Sequence, residues 1–406
     1  MKTLRLSELK HYKIIKSLSD DLRKTKIFNF SNVTFLKNKI YYPECIIKSG
    51  NTHIDVIDEK IMSLDFEKEN LESDLNDNLC IENTPLFYFV YNTENYYHFI
   101  YDTLPYLISF FYLKSSIPDL KLLVNYPNRS SSDLFKFVKE ILEKLDIYKD
   151  DLVFINDKTN YSNLYVSSSF THGLDSNLPI SNHGKKIFQM ISEKTILDIE
   201  TPKKIYISRR SWVHNDFSNI GTNYTQRRKL VSEDKIVDIL QNNGFKEVFP
   251  ELMSLDEKIN LFKNATHIVG PIGGGLVNCL FSTNKTSLLV ISSPLFLDIN
   301  YRFIHSFDNV KTKIITDTFH VEKGLFKKYM RVRSKSKNII GEIVNVENNQ
   351  VKILYSQYSI SGWNEKNDYL EEIINFDDCE ILDYGLNSEF DVDLDSFERQ
   401  LITFLN

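Results

Sequence analysis

Four of the chain's 13 glycines fall within residues 270–275, in the run GPIGGG. The residues before it, THIVG, read as a buried strand, and those after it, LVNCLF, read as a helix. Glycine at such a junction lets the backbone pass close to another group. The helix start then directs N–H donors and the positive end of the helix dipole at whatever lies outside. Strand, glycine turn and helix in this order is a unit of a parallel α/β sheet. The spacing is not G-x-G-x-x-G, and no Lys-Ser/Thr pair follows as in a P-loop. Tight strand–helix packing and anion binding both account for such a turn; its place at a strand end weighs toward the second.

The middle of the chain repeats the pattern. LFYFVYN, LKLLVN, DLVFIN and NLYVSSS read as strands. Helices are expected over Glu94–Leu113, where Pro105 should kink or break the run, and over Asp133–Leu145. In the latter, Leu134, Phe137, Val138, Ile141 and Leu145 carry helical spacing. A second series starts at KKIYISRR. Ser232 caps a helix through Gln241, and Gly244 stops it. FKEVFP is a strand, and Ser254 with Glu257 makes a capping box ahead of Ile259, Leu261 and Phe262. TSLLVIS is a further strand beyond the glycine turn. Two such series predict an α/β fold with two Rossmann-like domains facing a cleft.

Charge marks a boundary near the C-terminus. Residues 341–406 hold 15 acidic and 3 basic residues, a net of −12, which leaves +6 on residues 1–340 of a chain whose formal charge is −6. An acid-free basic run, Lys323 to Lys337, precedes the change. NIIGEIVNVENNQVKILYSQ alternates apolar and polar residues around an Asn-Asn turn, the signal of a β-hairpin. A closing helix is expected near Leu394–Leu405. Upstream, VTFLKNKIYYPECIIKSGNTHIDVID reads as short strands turning at Lys37-Asn38 and Ser49-Gly50-Asn51. The expected division is a β-rich segment over 1–80 packing on the first lobe, an acceptor-side α/β domain over 81–200, a ligand-binding α/β domain over 201–325 and an acidic β-rich module over 326–406.

The overall negative charge argues against nucleic acid as the main partner. Cys45, Cys80, Cys279 and Cys379 form neither a disulfide framework nor a zinc spacing. The first residues lack the apolar core of a signal peptide, and a cytoplasmic location is expected. The most apolar stretch, Tyr96–Leu113, contains His98, Asp102 and Pro105, so it reads as a buried helix rather than a membrane span.

Chemistry concentrates in two further places. Residues 203–229 carry Lys203, Lys204, Arg209, Arg210, Arg227, Arg228 and Lys229 against the single acid Asp216. Arg209 directly follows the strand KIYIS, so it stands at the end where open sheets bind ligands, and arginine grips phosphate oxygens bidentately. A solvated basic surface better suits Lys203, Lys204 and Lys229; a structural ion pair is the competing reading for Arg209 and Arg228. In NYYHFIYDTLP, His98 and Asp102 are four residues apart and share one helix face. A carboxylate orients an imidazole and raises its basicity, as a general base needs, although a buried structural pair has the same spacing. His172 and His183 lack metal-ligand companions. Asp391, Asp393 and Asp395 read as a helix start. Glu251, at a strand's end, suits a ribose hydroxyl or a plain loop.

Taken together these segments resemble glycosyltransferase family 61. NYYHFIYDTLPYL is similar to its N-x-x-H-[WF]-x-x-D-x-L-P block. YISRR…RRKLVSEDKIVDIL is similar to its strand–arginine block and the helix that follows. PELMSLDEKINLFKNATHIVGPIGGGLVNCLF is similar to the block ending in G-x-H-G-A-G-L-x-N. The likeness covers roughly 80–320. Ile272 stands where that block has His, Ser232 replaces an Asn, and Gly274 replaces an Ala.

The resemblance implies a GT-B fold and inverting transfer from a nucleotide sugar, commonly a UDP-sugar carrying xylose or N-acetylglucosamine, to a glycan or glycolipid hydroxyl. It implies donor contacts from Arg209, Arg228, Glu251, Gly270, Gly273, Gly274, Gly275 and Asn278, with Asn95 on the acceptor side. No metal or other cofactor is expected, because the helix start and the arginines can hold the leaving diphosphate. His98 is favoured as base with Asp102 orienting it, and the reverse assignment stays open. Ile272 motivates the alternative of a non-catalytic nucleotide- or glycan-binding protein. A dinucleotide-dependent oxidoreductase lacks its fingerprint here. The acidic tail, which would repel an anionic donor, is expected to be a structural or protein-interaction module whose removal over 340–406 spares donor binding.

Overall fold

The computed structural model describes residues 2–5, 12–18, 20, 22–23, 25–36, 39–42, 45–48, 55–57, 60–63, 66–67, 79–89, 93, 95–126, 133–156, 158–171, 178–197, 199–210, 228–295, 305–321, 326–356, 369–385 and 387–406. The turns expected at Lys37-Asn38 and Ser49-Gly50-Asn51 lie outside the described residues, as do His172, Arg227 and the start of the basic run at Lys323.

The chain is a mixed α/β protein in which two parallel arrays position the site. In the first, the strands stand in the order Leu152–Phe154, Lys121–Val124, Leu86–Tyr88, Thr159–Ser167, all parallel. Thr159–Ser167 pairs antiparallel with Lys26–Leu36, which in turn pairs with Tyr12–Ser17 and Lys39–Tyr42. Several N-terminal strands are thus built into the first sheet, while Lys2–Arg5, Asp55–Ile57 and Lys60–Ser63 form a separate three-stranded sheet. In the second array the order is Lys246–Val248, Lys204–Ile207, His267–Pro271, Thr286–Ile291, Val310–Ile315, again all parallel. By chain order that is 2-1-3-4-5, so the progression reverses between Lys204–Ile207 and His267–Pro271. The first array reverses likewise between Leu86–Tyr88 and Thr159–Ser167. The crevices outside the strand C-termini at such reversals are where open α/β sheets bind ligands.

Local sequence explains the elements around these crevices. Ser254 Oγ accepts from Glu257 N–H at 3.3 Å and Glu257 Oε2 accepts from Ser254 N–H at 2.8 Å, the capping box that starts the helix Leu255–Asn264. Gly244, at φ 81°, ends the helix Glu233–Asn242. Pro105 does more than kink its helix. It has no N–H to donate to the carbonyl four residues back, and its ring crowds that carbonyl. The backbone widens into a π turn over Phe99–Thr103, where Leu104 N–H reaches back to Phe99 O. It then tightens to a 3₁₀ turn over Leu104–Tyr106 before the α-helix Leu107–Lys114. The helix after the glycine turn, Gly274–Phe281, is 3₁₀ throughout. Its weaker hydrogen bonding is offset by packing, since Leu276, Val277, Asn278, Cys279 and Phe281 are all buried.

One apolar cluster joins the two arrays. Leu86, Leu122 and Leu164 of the first sheet, Ile205, Ile268 and Leu288 of the second, and helix residues Leu107, Ile187, Ile259, Phe262 and Leu276 belong to the same core. Apolar side chains, rather than an open gap, therefore fill much of the space between the sheets. A second cluster lies against Tyr206, Val269, Leu289 and Ile291 and includes Phe390, Phe397 and Leu401 from the end of the chain. The C-terminal region thus serves two places. Strands Arg331–Ser334, Ile340–Glu347, Gln350–Ser356, Tyr369–Asn375 and Cys379–Asp383 form an antiparallel sheet with its own small core. Its Ile340–Glu347/Gln350–Ser356 hairpin turns at Asn348 and Asn349, both with positive φ, as an Asn-Asn type I′ turn requires. The strand Phe390–Val392 and the helix Leu394–Leu405, capped by Asp393, instead pack on the second parallel sheet and its neighbours.

Removing residues 340–406 would strip that packing together with most of the antiparallel sheet. Phe397→Ala is expected to lower the unfolding free energy by about 3–5 kcal/mol in a urea melt. A loss below about 1 kcal/mol would show that the last helix does not belong to this core.

Candidate functional site

The His98 side chain is positioned by the irregular helix start after the strand Leu86–Tyr88. Asn95 caps that start, its Oδ1 accepting from His98 N–H at 3.3 Å. His98 Nδ1 lies 2.7 Å from Asp102 Oδ2. The pair is unequal: the Asp102 side chain is 1% exposed and that of His98 25%. The carboxylate is sealed in the core, and the imidazole keeps an edge on solvent. The spacing of four residues spans the junction from α to π geometry, and the π turn caused by Pro105 carries Asp102. Tyr97 stacks on Tyr101 with centroids 5.5 Å apart, and Tyr101 Oη lies 2.6 Å from Ser306 Oγ, which ties this turn to the distal part of the chain.

Arg209 follows the strand Lys204–Ile207 at the reversal point of the second sheet. Its backbone N–H donates to Glu233 Oε1 at 2.8 Å. Tyr206 Oη and Ser208 Oγ donate to the same oxygen at 2.9 and 3.2 Å. Glu233 is 3% exposed, and burial raises its pKa against the pull of these donors and of Arg209. Its other oxygen, Oε2, is buried with no hydrogen-bond partner among the described residues. At the tip, Arg209 Nη1 donates to Ile272 O at 2.7 Å. Burial works against the guanidinium charge, and Glu233, Tyr206 and Glu251 favour it. Neighbouring Arg210 is engaged otherwise: it grips Glu247 with Nε and Nη2 at 2.6 and 2.7 Å and also pairs with Asp234. This is a structural ion pair.

The glycine turn meets both groups. A methyl on Gly273 would stand 3.0 Å from Arg209 Nη1, and one on Gly275 would stand 2.8 Å from Ile207 Cγ2. The backbone thus runs close against Arg209 and its strand, as only glycine allows without displacing them. On the other side, a methyl on Gly274 would meet Tyr97 Cβ at 3.5 Å. Gly274 and Gly275 open the 3₁₀ helix, where no earlier intrahelical carbonyl is available to their N–H groups. Asn278, fully buried, closes the link. Its Oδ1 accepts from Tyr96 Oη at 2.5 Å and its Nδ2 donates to Gly275 O at 2.8 Å. Burial pushes the Tyr96 phenol well up, so it stays a neutral donor.

The structure therefore brings Asn95, His98, Asp102, Arg209, Gly273, Gly274, Gly275 and Asn278 to one junction. Gly270 lies inside it, packed on Ile207. Glu251, in the 3₁₀ turn Pro250–Leu252, acts electrostatically on Arg209. Arg228 is grouped with the C-terminal segment: its N–H donates to Asn387 O at 2.8 Å and its Nη1 to Asn387 Oδ1 at 3.0 Å. Ile272, 1% exposed, turns its side chain into the core and offers only its carbonyl to Arg209. Among the described residues, no three His, Cys, Asp or Glu side chains are grouped to hold a metal ion. No helix of the described residues is long and apolar enough to cross a membrane.

Sequence reasoning missed Tyr96, Tyr97, Glu233 and Lys258 as contributors. Tyr96 and Tyr97 were visible only as aromatic neighbours of His98. Lys258 carried a signal: it sits on the stripe Leu255, Ile259, Phe262, where an apolar residue belongs.

Residues 96–289, which contain all of this junction but Asn95, match the family model described as Glycosyltransferase 61. The central part of the chain is therefore a glycosyltransferase 61 domain, and the family implies glycosyltransferase activity. No curated protein matches the chain.

Glu233 should leave a signature in acid. Its raised pKa means that the folded state binds this proton more tightly than the unfolded state. Its contribution to stability therefore improves as pH falls through the folded-state pKa and levels off below the unfolded value. The wild type is expected to gain on Glu233→Gln as pH is lowered from neutrality toward the ordinary carboxylate pKa in paired thermal melts. Parallel curves would refute this.

Proposed function

We propose that this protein is an inverting glycosyltransferase of GT-B type that moves a sugar from a nucleotide sugar to a glycan or glycolipid hydroxyl. In our reading the donor is a UDP-sugar, and the product enters polysaccharide or glycoconjugate synthesis on the cytoplasmic side. One observation carries the reading. Arg209 lies on the Ile272–Gly273 backbone, while Gly274, the next residue, is met by Tyr97, the neighbour of His98. A diphosphate seated at the open N–H groups of Gly274 and Gly275 is then within one side chain of both a guanidinium and a base.

In this mechanism the acceptor oxygen attacks the anomeric carbon from the face opposite the diphosphate. The bond from that carbon to the diphosphate oxygen breaks, and its electron pair leaves with the diphosphate. The acceptor's proton passes to His98. The Nδ1 of His98 is engaged by Asp102, so Nε2 is the atom that takes it. The burial of Asp102 supports this division: a sealed carboxylate cannot meet an acceptor, but it can fix the ring and stabilise the imidazolium. Arg209 and the two N–H groups take up charge on the departing diphosphate without a metal, with Glu251 receiving ribose hydroxyls; Arg228, held by Asn387, is left out of this reading. The sheet over 331–383 is read as a structural or interaction module beside this site. A non-catalytic nucleotide- or glycan-binding protein is the alternative, because Ile272 puts no imidazole at the glycine turn.

A nucleotide-sugar panel in a thermal-shift assay should find a ligand that, at 100 times its Kd, stabilises the fold by about 2.7 kcal/mol. With that donor, His98→Ala is expected to lower turnover by about 10²–10⁴-fold while sparing nucleotide binding. Arg209→Ala should weaken nucleotide binding itself. Binding without turnover across a range of acceptors would favour the alternative.

A further inference from the structure

Lys258 is a buried lysine on an otherwise apolar helix stripe. It is the fourth residue of the helix Leu255–Asn264, 7% exposed, on the stripe that packs into the core through Leu255, Ile259 and Phe262. A methionine or leucine would suit that stripe. The position is doubly unfavourable for a positive charge. Burial opposes ionisation and lowers the lysine's pKa, and the helix start just before it carries the positive end of the dipole. Nor is the charge matched by a close partner: among the described residues no carboxylate forms an ion pair with Nζ and no acceptor takes a hydrogen bond from it. What holds it is the face of Tyr96, with Nζ 4.9 Å from the ring centroid.

That ring ties the lysine to the candidate site. The Tyr96 hydroxyl donates to Asn278, and Asn278 donates to Gly275 O of the glycine turn. Glu251 acts electrostatically on both Lys258 and Arg209 and favours the charge of each. Glu140 favours the lysine's charge and Lys136 opposes it.

Resting on the transferase reading above, we propose that Lys258 is a second cation for the donor's diphosphate, acting with Arg209 across the glycine turn. The buried charge is retained because a dianionic group completes it when the donor binds, and the Tyr96 face holds it ready in the meantime. A buried charge without a partner is costly, and a ligand that supplies the missing negative charge recovers that cost as affinity.

The test is calorimetric titration of the full chain with uridine, guanosine and cytidine diphosphates and the matching monophosphates. Lys258→Met, Lys258→Gln, Lys258→Arg and Arg209→Ala are compared with the wild type. Lys258→Met should weaken the diphosphate that binds by about tenfold or more, and the monophosphate clearly less. Lys258→Arg should recover most of the loss, and Lys258→Gln gives the same reading should the Met variant not fold. Equal weakening of mono- and diphosphate would overturn the proposal, because a merely structural lysine does not distinguish them. So would unchanged diphosphate binding in Lys258→Met while Arg209→Ala loses it; that result leaves the transferase reading standing. If none of the diphosphates binds the wild type, the transferase reading fails and this proposal falls with it.

Discussion

The site depends on a short bridge between the elements of the two sheets, the hydrogen bond from the Tyr96 hydroxyl to Asn278. Tyr96 begins the helix that carries His98, and Asn278 reaches back to the carbonyl of Gly275. Asn278 is fully buried and Tyr96 half-buried, so loss of the tyrosine hydroxyl would leave a buried amide oxygen unsatisfied. The apolar core shared by the two sheets brings these elements close, but apolar contact is non-directional. The polar bridge sets the register, and with it which glycine faces which tyrosine.

On the second sheet, Glu233 does comparable work for Arg209. One oxygen collects the Arg209 backbone N–H, the Tyr206 hydroxyl and the Ser208 hydroxyl, which holds the chain at the strand's end while the guanidinium reaches Ile272 O. Arg209 and Arg210 are adjacent in sequence yet differ in circumstance. Arg210 is consumed by a bidentate pair with Glu247, whereas Arg209 leans on main chain at the reversal point of the sheet. Alternation along a strand sends consecutive side chains to opposite faces, and the same tendency separates them here.

Much of the fold could be read from residue patterns because the signals were local. The capping box at Ser254, the stop at Gly244, the hairpin turn at Asn348-Asn349 and the helix start at Asp393 are each decided within a few residues. The pairing of His98 with Asp102 is likewise one turn of helix. Other features were not local. The charge change near residue 340 suggested one C-terminal module, but Phe397 and Leu401 belong to the core under the second parallel sheet. Charge reports on surface, and burial of the closing helix depends on apolar partners such as Leu289, Ile291 and Ile315, remote in the chain. The glycine helix winds as 3₁₀ because its neighbours bury it, and no spacing rule announces that.

The sequence by itself determined the order of strands and helices, the pairing of His98 with Asp102, and the glycine turn as a place of close approach. Those follow from periodicity, capping and the absence of a Cβ, which act over one or two turns of chain. Only the tertiary structure decided which oxygen of Glu233 is spoken for, that Ile272 offers a carbonyl instead of a side chain, and that Lys258 rests on the face of Tyr96. These are consequences of burial and of distances between residues remote in the chain, and a linear pattern contains neither.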